Sequence, residues 1–307
     1  TTILACLALI VFIIFTFSKN NKNVAILDVN YPKAYADIDE KREFINENPV
    51  DDEFLNAVNN FSYKTASQIL SASNENSNYS PISLYYALSV VSSGAKGETV
   101  NELLSLLGIS DQEKLSAECK KLFSQLYTDN KIGQLKIANS LWLDDQATFK
   151  KGFVKNAAEN FYATSHKVDF KNSDTGKAMA KWVSDNTKGT ITPEFEANPN
   201  QILSILNTIY FYDQWSDKFY EDNTQNDLFY LPDGSTVNYD FMNQTKNCAD
   251  FTQGNGFSRA SLGLKNGGKM VFILPDEGVS TKELLSTPEK LKSTFESGEE
   301  NFVRVEW

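Results

Sequence analysis

Histidine is almost absent from this chain of 307 residues: it has one, His166. A Ser-His-Asp triad would have to be built on that residue, and no G-x-S-x-G elbow accompanies it. A histidine-rich zinc site is excluded by count. Cysteine is also scarce, with three residues. Cys6 lies in an apolar leader, while Cys119 and Cys248 make at most one disulfide and match no metal-ligand spacing. Two unpaired core residues are the simpler reading of that pair, so cysteine usage leaves the redox compartment open. Positive charge is in deficit: Lys and Arg total 29 against 40 Asp and Glu, a net charge of −11. Nucleic acid and anionic lipid repel such a chain. The densest basic pair in mid-chain, Lys150–Lys151, is no nucleic-acid footprint. Phosphate-cradling motifs are missing too, both G-x-x-x-x-G-K-[ST] and a helix-opening G-x-G-x-x-G. The acidic pairs Asp51–Asp52 and Asp144–Asp145 read as solvated surface. No catalytic, cofactor-binding or metal-ligating residue is assigned. A carbohydrate-active enzyme, whose two carboxylates leave no local signature, stays open on composition alone.

One long apolar run is present. Residues 3–17 carry no charge. The run is shorter than the ~20 residues of a transmembrane helix and at the long end of the ~7–15 of a signal core. A clear A-x-A site is missing, although Thr16-Phe17-Ser18 is small-x-small. Leu4-Ala5-Cys6 resembles a lipobox, but the apolar run continues beyond the cysteine. Residues 1–17 are read as a signal or anchor segment, with the anchor slightly preferred. Either function exports the rest, membrane-anchored or secreted. Residues 18–50 are polar and read as a linker.

Beyond the linker, helical and strand periods alternate in blocks. Phe54, Val58, Phe61 and Ile69 recur on one helical face. Pro81 suits a first helical turn, and that helix runs through Leu84 and Leu88 to Gly94. A helix over 98–107 stops at Gly108 as a left-handed cap. Ser110-Asp-Gln-Glu113 and Ser280-Thr-Lys-Glu283 read as capping boxes. Leu135, Ile137, Asn139, Leu141 and Leu143 alternate with their neighbours as a strand does. Helices follow over 149–161 and 177–187, with a short strand at 166–170 between them. Residues 202–211 are nearly unbroken in β-formers and predict a central strand covered on both faces. Strands are predicted over 228–231, 236–241, 258–264 and 270–274. The pattern is α+β, with helices in the first half packed on a large antiparallel or mixed sheet plus smaller sheets. No linker or internal repeat interrupts residues 51–307, so they read as one domain.

Several segments together resemble one family. Asn78-Tyr-Ser-Pro-Ile-Ser-Leu-Tyr-Tyr-Ala-Leu, then Gly94-Ala-Lys-Gly-Glu-Thr-Val, is similar to the serpin N-terminal signature. So are Ile137-Ala-Asn-Ser-Leu-Trp-Leu143, Trp182-Val-Ser-Asp-Asn-Thr-Lys-Gly-Thr-Ile191 and Leu206-Asn-Thr-Ile-Tyr-Phe-Tyr-Asp-Gln-Trp215. They stand in the family's order across residues 51–307. The resemblance implies a serpin-like fold and a non-catalytic inhibitor of serine or cysteine proteases. In such proteins a cleaved bait loop enters the main sheet as a new strand. It implies that Ser80, Ser83 and Asn207 form the polar cluster where the sheet parts. It places Trp215 and Thr224 where the loop enters, and supplies a further cluster histidine from a later strand, which His166 is not. A non-inhibitory binding or scaffold protein on the same fold is the alternative. The implied partner is a target protease, with membrane contact through the leader, no nucleic acid, no cofactor and a monomeric full-length protein. The chain stops inside the alternating strand at Val303 and Val305. The resemblance would place the reactive loop beyond it, so this stretch is expected not to inhibit alone.

Overall fold

The computed structural model describes residues 25–231, 233–298 and 300–306. The apolar run of residues 3–17 lies outside them. In chain order the early elements are β1 (Ala25–Leu27), α1 (Ile38–Glu47), α2 (Asp52–Ser71), α3 (Pro81–Gly94), α4 (Glu98–Leu107) and α5 (Gln112–Leu126). Then come β2 (Thr128–Asp129), β3 (Gln134–Asp144), α6 (Lys151–Phe161), β4 (Ala163–Val168), α7 (Ser173–Asn186) and β5 (Leu203–Tyr212). The last part holds β6 (Gln225–Tyr230), β7 (Thr236–Phe241), β8 (Thr245–Gln253), β9 (Phe257–Gly263) and β10 (Lys269–Pro275). It ends with α8 (Thr281–Leu284), α9 (Pro288–Glu296) and β11 (Glu300–Glu306). Among the described residues no helix is long and apolar enough to cross a membrane.

Two compact units share these elements, each assembled from three separated stretches. One takes residues up to Lys33, Ile82–Tyr127 and Lys136–Tyr210; the other takes Ala34–Pro81, Thr128–Leu135 and Phe211 onward. The sequence offers no linker because the boundary is crossed five times within continuous elements and short turns.

In the first unit β3 runs parallel to β4, from Asn139 opposite Ala163 to Asp144 opposite Val168. β1 pairs antiparallel with the outer edge of β4, and β5 pairs with β3. Residues 137–143 of β3 are buried without alternation, because helices and strands cover both faces. Trp142, Val168, Phe170 and Met179 form a core cluster with Trp182, Phe195 and Leu206 packed on it. α3 is anchored by two buried tyrosines whose hydroxyls donate to Leu107 O (3.1 Å) and Cys119 O (2.7 Å). Phe123 of α5 stacks on Tyr162, with centroids 4.4 Å apart.

In the second unit β10-β9-β8-β11 form an antiparallel sheet, and β6–β7 form a hairpin. α9 packs on α2, where Tyr63 meets Phe295 at 6.0 Å between centroids. β2 pairs with the first two residues of β3.

Four sequence expectations are corrected. The stretch read as a linker holds β1 and α1. Asp37 caps α1 by accepting from the Asp39 and Glu40 amides, and Phe44 packs on Tyr35. The cap of α5 is Asp111, whose carboxylate accepts from Lys114 N at 2.6 Å, and not Ser110. β5 is only partly buried, and Ile202, Phe211 and Tyr212 are exposed. Among the described residues its single strand neighbour is β3, so it lies at an edge and is not central. β8 was not expected at all, since Thr245-Lys-Asn-Cys-Ala-Asp-Phe-Thr-Gln253 lacks strand patterning. Its neighbours β9 and β11 supply the pairing that its own propensity does not. The caps at Gly108 (φ 74°) and Ser280 are as the sequence implies.

Candidate functional site

The chemistry of the first unit's sheet is concentrated in a chain of side-chain amides. Ser83 lies in the first turn of α3, and its hydroxyl donates to Asn207 Oδ1 on β5. Asn207 Nδ2 donates to Asn139 Oδ1 on β3 at 2.6 Å. Asn139 Nδ2 donates to the carbonyl of Phe161, the last residue of α6, at 2.7 Å. Three elements and a helix end are therefore connected through polar bonds across an otherwise apolar layer. Asn139 is fully buried; Ser83 and Asn207 are half-buried. An unpartnered buried amide costs about 1–3 kcal/mol, so each link holds its neighbours in place. Thr208, next along β5 and hence on its other face, buries its hydroxyl with no hydrogen-bond partner among the described residues.

In the sequence Asn139 reads only as part of a strand. The signal was available: it is the one polar side chain in the row Leu135, Ile137, Leu141, Leu143. Ser80 is half-buried just ahead of Pro81, where α3 begins, and falls in the second unit. Trp215 and Thr224 also fall in the second unit. Trp215 bridges to Leu264 in antiparallel fashion, and its ring meets Phe219 edge-on at 5.8 Å. Thr224 is exposed and closes a short turn by donating its amide to Glu221 O at 2.9 Å. Of the five residues singled out, Ser83 and Asn207 are bonded to each other.

His166 stands on β4, its ring stacked on Trp142 with centroids 4.3 Å apart. Its Nε2 lies 3.1 Å from Thr164 Oγ1. Burial lowers its pKa from the ordinary imidazole value, and the nearby Asp28 carboxylate opposes that shift. Cys119 is buried and free, and burial raises its thiol pKa to about 12; Cys248 is exposed and free. Among the described residues no group of three His, Cys, Asp or Glu side chains is arranged to hold a metal ion.

The family model described as serpin (serine protease inhibitor) matches residues 56–305. The chain belongs to the serpin family. Its serpin relatives include Serpin-ZX of Arabidopsis thaliana, 29% identical over 257 residues, covering 79% of this chain and 65% of the relative. Serpin-Z2B of Triticum aestivum is 30% identical over 260 residues, covering 80% of this chain and 64% of the relative. The chain thus spans just under two-thirds of the length of these serpins. Among solved structures it is similar to Serpin48, described as a highly specific serpin in the insect Tenebrio molitor. That likeness has a TM-score of 0.74 at 25% identity, over 83% of this chain and 71% of that one. The α+β fold of helices with several sheets is that of the serpins.

Proposed function

We propose that this serpin acts as a non-catalytic inhibitor of serine or cysteine proteases, by admitting a cleaved segment of the full-length protein as a new strand beside β5. The observation that carries the reading is the link from Ser83 through Asn207 to Asn139. A sheet that parts must exchange its contacts for others of similar worth. Hydrogen bonds of about 1 kcal/mol each can break and re-form, whereas interlocked apolar packing reopens at a larger cost. The unanswered hydroxyl of Thr208 and the single-sided pairing of β5 support the same reading. Ser80 joins Ser83 and Asn207 in the parting region, and Trp215 and Thr224 mark where the inserting segment enters. Residues 51–307 act as one serpin domain. The apolar run of residues 3–17 supports export, either as an anchor or as a cleaved signal, and the full-length protein is monomeric.

The test uses the full-length protein and a panel of serine and cysteine proteases. A one-to-one complex that survives SDS is expected with at least one of them, together with a large rise in the melting temperature of the cleaved inhibitor. If every protease either ignores the protein or cuts it with no complex and no rise, the inhibitory reading is wrong and the binding or scaffold role takes its place.

A further inference from the structure

The outer edge of the first unit's sheet is closed by a strand from the stretch that reads as a linker in the sequence. β1 pairs antiparallel with β4, Ala25 opposite His166 and Leu27 opposite Ser165, with a register shift between the two positions. Among the described residues β4 is its single strand neighbour. Four residues after β1, Tyr31 lays its ring against three others. It stacks on Tyr127 with centroids 5.5 Å apart and planes 8° from parallel, on Phe123 at 6.1 Å and on Tyr162 at 6.3 Å. Phe123 lies in α5, Tyr127 caps the end of α5, and Tyr162 joins α6 to β4. The segment therefore grips the sheet by strand pairing and the helices by ring contact.

The rings under Tyr31 are firmly set. Tyr162 has φ of 51°, a left-handed backbone that costs any residue with a Cβ. Its ring is held 4.4 Å from that of Phe123, and its hydroxyl lies 3.3 Å from Ser124 Oγ on α5. The segment above them is held more lightly. β1 has three residues paired on one side, and so short a pairing is marginal by itself. Tyr31 stays 36% exposed, so its ring rests on the stack from outside. A segment of this kind opens locally while the rest of the fold stays closed.

Its position bears on the sheet as a whole. The relay from Ser83 through Asn207 to Asn139 ties the sheet to α3 and α6 by polar bonds that exchange readily. β1 and Tyr31 tie the far side of the same sheet to α5. β5, β3 and β4 are paired in a row, so a displacement at β5 is passed on to β4.

We propose that residues 25–31 are a detachable strap that locks the β4 edge of the sheet to α5 and sets how fast the sheet takes up a new strand. The timing role rests on the insertion reading above; the lock does not.

Two variants of the full-length protein release the strap in different ways. Tyr31→Ala removes the ring contacts. Ile26→Pro with Leu27→Pro removes the pairing, because neighbouring residues of a strand point their N–H groups to opposite sides and one of the two faces β4. Hydrogen exchange is followed in β3, β4 and β5, with α2 and α9 of the second unit as the reference. Each variant should speed exchange in the strands about tenfold, as loss of stacked ring contacts or of an edge strand allows, and leave the reference helices unchanged. Unchanged strands in both variants, or equal acceleration in the reference helices, would overturn the lock. After cleavage by a protease, each variant should reach its raised melting temperature sooner than the parent. A rise no faster than the parent's overturns the timing role. No rise in the parent overturns the insertion reading and the timing role with it, and the exchange comparison still decides the lock.

Discussion

An asparagine side chain offers two donors and an acceptor oxygen, and inside a strand few neighbours can answer them. Asn139 and Asn207 answer each other, and the surplus valences pass to Phe161 O and to Ser83. Half of this arrangement was legible in the sequence. Asn207 stands out in an apolar run, whereas Asn139 hid inside an alternation that already read as a strand. His166 illustrates a different residue-scale effect. Its pKa is lowered mainly by burial, so the unfolded chain binds its proton more readily than the folded one. Stability is then complete above the unfolded value of 6.5 and is lost as the pH falls below it, toward and through the folded value. The chain has no other histidine, so few other groups titrate in that window. Thermal melts from pH 7.5 down to pH 5 should show a falling midpoint. His166→Phe, which keeps the stack on Trp142, should flatten that fall. An unchanged slope in the variant would remove His166 as the cause.

Elements in this protein are set partly by local signals and partly by neighbours. Caps were readable where the chemistry is short-range: Gly108 closes α4 and Ser280 opens α8. β8 was not readable, because what makes it a strand is pairing to β9 and β11, which lie far along the chain. Gly176 shows both influences at one position. It sits inside α7, where alanine would favour the helix by about 1 kcal/mol. However, a Cβ there would land on the carbonyl oxygen of Phe195, which is backbone and cannot swing aside. Forcing that overlap costs about 1–3 kcal/mol or more, since the helix must move off its core contacts at Met179 and Trp182. Overpacking therefore outweighs propensity. Gly176→Ala is expected to lower stability in urea melts by up to about 2 kcal/mol net. A stabilised variant would show that the Phe195 segment yields freely.

At the scale of the whole molecule, the interleaving of two units could not be read from the sequence, because no composition shift marks a boundary crossed in mid-strand. The exposed strand faces were equally hidden, since alternation does not say which covering is absent. In the first unit β5 leaves one edge unpaired among the described residues, with Ile202 63% exposed beside it. In the second unit Leu274 on β10 and Phe302 on β11 are 70% and 66% exposed. Open edges carrying apolar side chains template the pairing of further strands. Electrostatic repulsion opposes this, because every copy carries −11. Salt screens that repulsion over about 10 Å at 0.1 M and over about 3 Å at 1 M, while leaving apolar contact intact. A polypeptide of residues 18–307 is therefore expected to sediment as larger species when either concentration or salt is raised. Lysine at the two most exposed of these strand positions, Leu274→Lys with Phe302→Lys, should shift the onset to higher concentration. A sedimentation coefficient that stays monomeric across both ranges would mean that the exposed faces do not meet, and that β5 is guarded by something other than charge.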